Sequence, residues 1–450
     1  MKQMSLRSLF LMLFTVAFSV GLFALCYLSF TNGDDWTSFP ANRHIYKNGT
    51  LINAGDITDR DGVVLATTEG DERIYNPDFY IRVSTLHTVG DFKGFIKTGL
   101  STSHWDTLTG YNRATGLFSA KSGGNNIKLT LSAKVNTVAL KALGNYSGAV
   151  GVYNYKTGEV LCMVSSPTYD PTKEGKEDDG IYINRFLSSS YPPGSTFKLV
   201  TAIAALETLD DAETRTYFCD HGTTVEGETI SCMAKHGEMT LREALAKSCN
   251  AYFSQLAIDL GAETLQKYAD KLGLNSAAEI DGIKAKQGRI DLSDIRKVDL
   301  GWAGMGQYTD LVNPLAYLNV MGAIASEGRA AKPYMIDSVT SSDGIKLAGS
   351  SVDYTSQLFS KSTANKLKEM MRYTVSSTYG DHRFPGLNVC AKTGTAEVDS
   401  GITPHSWFVG FVEDEEYPLA FVVVAENAGA GVGVARTVAN KTLQAVKELY

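Results

Sequence analysis

The sequence predicts an α+β protein: an antiparallel sheet flanked by helices, with a small N-terminal α+β module and one N-terminal transmembrane helix. Three observations carry that expectation. Residues 148–153 and 160–164 are apolar runs of strand length around Lys156-Thr157-Gly158, the pattern of a hairpin. Residues 407–412 and 419–424 form a second strand pair, followed by a helical pattern over 437–449. Between the pairs, residues 199–206 are apolar on every side, the mark of a helix buried in a core.

The chain has 450 residues, enough for two or three domains. Hydrophobic residues make up 44% and charged residues 20%, the balance of a folded protein. A net charge of −7 with no long basic run argues against a nucleic-acid partner. Leu9 to Phe30 is uncharged and mostly apolar, long enough to cross a bilayer. Lys2 and Arg7 precede it and Asp34 and Asp35 follow, so the positive-inside rule leaves residues 1–8 cytoplasmic and the rest outside. A cleaved signal would have a shorter apolar region and a small-x-small site. The expected divisions are therefore a 1–8 tail, a 9–30 anchor, a 31–146 non-catalytic module and a 147–450 catalytic domain.

Taken in order, Asp56 to Leu65 reads as two short strands around the Asp61-Gly62 turn, and residues 135–143 as a helix leading to the first hairpin. Tyr191-Pro192-Pro193-Gly194 is a stiff turn before the buried helix. Thr240-Leu241-Arg242-Glu243 is a capping box, and a second helical pattern follows over 251–260. Asn313-Pro314 opens another apolar helix to about 325, and a further one spans about 362–372. Of the six cysteines, Cys219 and Cys232 flank a polar loop. They suit a disulfide in an extracytoplasmic chain, two free thiols, or, with His221 and His236, zinc ligation.

Three motifs carry chemistry. The first is Ser195-Thr196-Phe197-Lys198, the one Ser-x-x-Lys in the chain. It places a hydroxyl and an amine on one face of a buried helix start, where unpaired N–H groups favour negative charge. A lysine there is costly to keep charged but suits the base of a serine nucleophile. The second, Ser248-Cys249-Asn250, sits in a break between helices; its hydroxyl can relay a proton and its amide can hold a peptide carbonyl. The third is Lys392-Thr393-Gly394-Thr395. Lys97-Thr98-Gly99, Lys121-Ser122-Gly123 and Lys156-Thr157-Gly158 match the same pattern, so context must choose. Only Lys392 lies in an edge-strand pattern, next to the strand beginning at Trp407, where an extended substrate can pair and Gly394 allows close approach. Lys392 and Thr393 suit a terminal carboxylate, and the charge of Lys392 is expected to help hold Lys198 neutral.

Ser-x-x-Lys, Ser-x-Asn and Lys-Thr-Gly in that order resemble the motif set of serine penicillin-recognising enzymes. The wider phrasing resembles a class B penicillin-binding protein over nearly all of the chain beyond the anchor: residues 55–62 and 165–171, Asn184-Arg185, residues 191–198, 392–397 and 405–411. Two departures are Ala391, where the family usually has glycine, and a short N-terminal module. The resemblance implies a serine β-lactamase/transpeptidase-like fold and peptidoglycan D,D-transpeptidation, with β-lactams acylating Ser195. Under it Lys198 is the base and Ser248 the proton relay. Backbone N–H groups of Ser195 and Thr395 hold the oxyanion, while Asn250, Lys392, Thr393, Gly394 and Thr395 bind the stem peptide. It implies no cofactor and no catalytic metal. The partners it implies are peptidoglycan stem peptides, the membrane and a membrane-embedded glycan polymerase. A D,D-carboxypeptidase, or a catalytically weak scaffold for the polymerase, are the alternatives. A β-lactamase would need neither anchor nor module, and a β-lactam sensor would need several spans and a protease motif.

Overall fold

A computed structural model describes residues 6–37, 46–47, 50–51, 53–70, 72–91, 93–112, 117–118, 124–173, 180–397, 401–429 and 433–450. The apolar N-terminal run forms one helix, Leu6–Thr37. Its Leu6–Ser29 segment has a mean hydropathy of 2.5 and is not buried against the rest of the chain, as suits a bilayer-crossing segment.

The central sheet has five strands in the order Val160–Ser166, Gly148–Asn154, Leu419–Ala425, His405–Val412 and Val389–Ala396, every neighbouring pair antiparallel. Both faces are covered, which is why its strands read as continuous apolar runs rather than as alternating ones. Val150, Val152, Phe408, Phe421 and Val423 share one core with helices Ala133–Leu143 and Val434–Lys447. The alternate residues Ala149, Tyr153, Val409, Phe411, Val422 and Val424 belong to the larger core, which contains helices Lys198–Thr208 and Pro314–Ala325. Helix starts follow their sequence signals. The Thr240–Glu243 capping box forms, and Asn313 accepts the N–H groups of Leu315 and Ala316 ahead of Pro314.

The N-terminal module is built on a second sheet, in the order Lys346–Gly349, Ile336–Thr340, Asn126–Leu129, Ile57–Thr58, Val64–Glu69 and Glu72–Tyr75. Its first two strands come from far beyond residue 146, so this sheet crosses the division expected there. The Lys346–Gly349 strand is exposed throughout and offers no apolar alternation to read. A second tie is Asp59, which is buried. Its Oδ1 accepts the N–H groups of Asp61 and Val63, both at 2.9 Å, and its Oδ2 accepts that of Ala133 at 3.0 Å. One carboxylate thus closes the Asp61-Gly62 turn and caps the helix that leads into the central sheet. Arg82 adds a forked pair to Asp170, at 2.8 and 2.7 Å.

Asp59→Ala leaves three N–H groups without their acceptor, and the expected loss is about 2–3 kcal/mol in urea unfolding. Asp59→Asn, which keeps one acceptor oxygen, should lose less than half of that.

Candidate active site

Pro192 and Pro193 deliver the chain into a 3-10 turn, Gly194–Phe197, from which helix Lys198–Thr208 continues. Ser195 therefore stands on a tighter turn than the α-helical start the spacing suggested. The local cause is the Pro193 carbonyl, which accepts the Thr196 hydroxyl at 2.8 Å and the Thr196 N–H at 3.4 Å. The turn is clamped from three sides. Trp407 Nε1 donates to Pro192 O at 2.9 Å, and Gly194 N donates to Gly306 O at 3.0 Å. A Cβ on Gly194 would lie 2.3 Å from the Thr395 carbonyl oxygen, and one on Gly394 would lie 2.8 Å from the Pro193 oxygen. With φ of +52° at Gly194, glycine is required there both for conformation and for space.

Lys198 is fully buried, and its Nζ meets four oxygens: Ser195 Oγ at 3.0 Å, Ser248 O at 2.7 Å, Asn250 Oδ1 at 2.7 Å and Ser248 Oγ at 3.3 Å. Two of them, the Ser248 carbonyl and the Asn250 amide oxygen, can only accept. A neutral amine has two hydrogens. Spending both on these acceptors leaves its lone pair for the Ser195 hydroxyl. Burial moves Lys198 toward that neutral form, lowering its pKa from 10.5 to about 8.

Ser248 ends helix Leu241–Ala246 with φ of +53°, a left-handed position where glycine is usual. Holding a serine there costs about 1–2 kcal/mol. The return is placement, because its Oγ lies 3.3 Å from Lys198 Nζ and 3.0 Å from Lys392 Nζ. Asn250 Nδ2 donates to Ser231 O at 3.0 Å, so its amide bridges Lys198 and the Glu228–Ser231 strand. Lys392 is also fully buried and donates to Thr393 O at 2.9 Å. Burial lowers its pKa well below the usual lysine value, and the nearby Lys198 charge lowers it further. The sequence expectation was that the charge of Lys392 would help hold Lys198 neutral; burial is the cause that lowers Lys198 here.

Val389–Ala396 is the edge strand the sequence pattern suggested. Of the other matching tripeptides, Lys156-Thr157-Gly158 forms the hairpin turn, Lys97-Thr98-Gly99 precedes the short Leu100–Ser103 helix, and Lys121-Ser122-Gly123 lies outside the described residues. On the outer edge, Thr393 N donates to Tyr379 Oη at 3.0 Å, and the Thr393 hydroxyl lies 2.9 Å from the same oxygen. Thr395 is two residues along, so its backbone faces the same edge. Its carbonyl accepts Gln307 Nε2 at 3.0 Å. Sequence reasoning missed Tyr379 and Gln307. Tyr379 ends a π-helical turn, Val375–Tyr379, beyond the predicted helix end, and belongs to no motif. Ser195, Ser248, Asn250, Thr393 and Thr395 are partly exposed while the two amines are not, so hydroxyls and amides line the cleft over buried bases.

The structure chooses among the alternatives open for the cysteines. Cys219 and Cys232 are free thiols. With Cys249 and His236 they form a cluster whose four donor atoms lie within 4.8 Å of one another. Cys249 thus takes the place in this group that the sequence offered to His221.

A partly exposed serine hydroxyl on a buried amine, beside a strand edge able to pair with an extended peptide, defines a serine acyl-transfer site. Residues 148–444 match the penicillin binding protein transpeptidase domain. The chain belongs to that family of penicillin-binding proteins, as its class B resemblance implied. Among its relatives is the peptidoglycan D,D-transpeptidase PbpA of Mycolicibacterium smegmatis, 28% identical over 436 residues and 87% of each chain. The stage V sporulation protein D of Bacillus subtilis is 31% identical over 339 residues, 70% of this chain and 52% of that one. The crystal structure of PBPA from Mycobacterium tuberculosis superposes with a TM-score of 0.78 at 26% identity, over 88% of this chain and all of that one. Its penicillin G acyl-enzyme complex gives a TM-score of 0.76 at 25% identity, with the same coverage.

Gly194→Ala should lower stability by about 1–3 kcal/mol, since it adds both left-handed strain and a clash with the Thr395 carbonyl. Gly344→Ala is the control in urea unfolding: its φ is also positive, +81°, but the added Cβ meets nothing within 4 Å. It should cost clearly less.

Proposed function

We propose that this chain is a peptidoglycan D,D-transpeptidase whose catalytic unit is residues 147–450 and whose nucleophile is Ser195. The observation that carries the reading is the Lys198 amine, 3.0 Å from Ser195 Oγ with two acceptor-only oxygens to take its hydrogens.

In the reaction Lys198 Nζ takes the Ser195 proton as Oγ bonds to the carbonyl carbon of the penultimate D-alanine. The oxyanion that forms lies between the backbone N–H groups of Ser195 and Thr395. Collapse breaks the peptide bond, and the departing D-alanine nitrogen receives its proton through Ser248, which reaches both Lys198 and Lys392. The stem peptide pairs with the outer edge of Val389–Ala396. Gly394 lets it approach, and Tyr379 orients the Thr393 hydroxyl toward the terminal carboxylate. Asn250 steers the peptide carbonyl with the hydrogen that Ser231 does not use. An amine of a neighbouring stem then attacks the acyl carbon, returning Ser195 and closing the crosslink. A β-lactam supplies the same acyl carbon, but its leaving nitrogen stays tethered by the ring-derived fragment, so the acyl-enzyme persists.

The Leu6–Ser29 segment supports a single-pass anchor with Lys2 and Arg7 on the cytoplasmic side and the catalytic unit facing the wall. Among the described residues no second helix is long and apolar enough to span. A membrane-embedded polymerase fits as the source of the glycan strands to be joined, because the anchor would hold the catalytic unit beside it at the membrane surface.

Ser195→Ala should lose covalent labelling by fluorescent penicillin; labelling as strong as wild type would remove Ser195 as nucleophile. With a stem-peptide substrate and excess acceptor amine, the crosslinked product should outweigh the hydrolysed one. Hydrolysis alone would make the protein a D,D-carboxypeptidase. The pH profile follows from Lys198. It acts as base only when neutral, so the acylation rate should rise with pH through a midpoint near 8 and level off above it. Lys198→Met should remove that limb and slow acylation by about 10²–10⁴-fold.

A further inference from the structure

The cluster of Cys219, Cys232, His236 and Cys249 has no part in the acyl-transfer steps. From its geometry we infer that these four side chains form a structural zinc site that holds the Ser248–Asn250 segment in place. The sulfurs of Cys219 and Cys232 lie 3.6 and 3.5 Å from His236 Nδ1, and those of Cys232 and Cys249 lie 3.9 Å apart. A tetrahedron with Zn–S of about 2.3 Å and Zn–N of about 2.0–2.1 Å has edges of roughly 3.5 Å between S and N and 3.8 Å between two sulfurs. The three distances match those edges. The sulfur–sulfur distance is far beyond the roughly 2.05 Å of a disulfide. Soft thiolates with one imidazole select zinc over harder cations.

The local fold supplies the second argument. Residues 217–239 form two separate ladders, Tyr217–Cys219 with Gly237–Met239 and Gly222–Val225 with Glu228–Ser231. Within this lobe only Cys219, Ile230 and Met239 are buried. So little apolar burial does not hold two hairpins together, and a bound ion is the usual staple for so small a unit. The four ligands are distributed as a staple requires. Cys219 ends one ladder, Cys232 follows the other, His236 lies in the loop between them, and Cys249 caps helix Asn250–Leu260. Cys219 and Cys249 are buried while Cys232 and His236 are partly exposed, so the site has an apolar floor and an entry path.

The cluster also touches the cleft through the chain itself. Cys249 lies between Ser248 and Asn250, and Cys232 follows Ser231, whose carbonyl accepts Asn250 Nδ2. Fixing the sulfurs of Cys232 and Cys249 to one ion fixes both ends of that hydrogen bond. It also fixes the left-handed Ser248 whose carbonyl holds Lys198. The ligands are positioning residues, not catalytic ones. This positioning effect rests on the acyl-transfer reading; the metal content does not.

The test is made on the full-length protein in detergent, purified under reducing conditions and without chelator. Elemental analysis should find about one zinc per chain. Cobalt(II) exchanged into the site should give a thiolate charge-transfer band and the intense visible bands of a tetrahedral ion. Cys219→Ser and His236→Ala should each hold under about a tenth of an equivalent and acylate with penicillin about 10–100-fold more slowly. His236→Cys, which restores a four-ligand set, should keep both metal and acylation rate, and Cys26→Ser, outside the cluster, should change neither. Removing zinc from the wild type and returning the metal alone should restore the rate. The inference is overturned if the reduced wild type binds no zinc. It is equally overturned if His236→Ala keeps a full equivalent, or if alkylation and intact mass show two of these cysteines joined in the active chain. Zinc binding that leaves acylation unchanged on removal would keep the site and overturn its positioning role.

Discussion

Everything in the cleft depends on the burial of one amine. Lys198 enters the protein at the start of an apolar helix, where burial outweighs the opposing pull of the Cys249 and Cys232 thiols and moves it toward the neutral form. Its hydrogens are taken by two neutral oxygens, the Ser248 carbonyl and the Asn250 amide. That choice of partner sets both its protonation and its direction. A carboxylate there would raise the pKa and keep the proton; uncharged acceptors orient the amine without stabilising its charge. The second buried amine, Lys392, shares Ser248 Oγ with it, so one cleft-lining hydroxyl joins the two enclosed amines.

Such an arrangement is useful only if the nucleophile cannot drift from it, and the fold answers with close backbone packing. Pro192 to Gly194 is pinned by the Trp407 indole, the Gly306 carbonyl and the Val389–Ala396 strand. At Gly194 and Gly394 the two backbones approach more closely than a Cβ would permit. The Ser195 turn and the Val389–Ala396 edge are thereby held against each other by backbone, as the oxyanion position we propose between them requires. Strain appears at Ser248, where a glycine-like conformation carries a serine whose hydroxyl lies within reach of both amines.

The same logic extends outward. Asp59 joins the N-terminal hairpin to the helix beneath the central sheet, and the strands at 336–349 carry catalytic-side chain into the module's sheet. The lobe at 217–239, with almost no core, reaches the cleft through Ser231 and Asn250 and through the thiols around His236.

The sequence by itself determined the strands of the central sheet, the buried helix after Ser195, the helix caps and the three motifs, because each rests on local pattern: apolar runs, capping residues, and a serine and lysine three positions apart. It also sufficed to choose Lys392 among four similar tripeptides, since edge-strand context is itself local. Tertiary structure alone decided what depends on distance across the chain. That burial is what moves both Lys198 and Lys392 toward their neutral forms required the fold, since only packing shows that each is fully enclosed. Tyr379 and Gln307 reach the strand edge from segments without motif or periodicity. Cys249 counts as a spacer in Ser-x-Asn until folding turns its sulfur toward Cys232 and His236, and His221, nearer in sequence, is left out. The Lys346–Gly349 strand was missed because an exposed edge strand needs no apolar alternation to form.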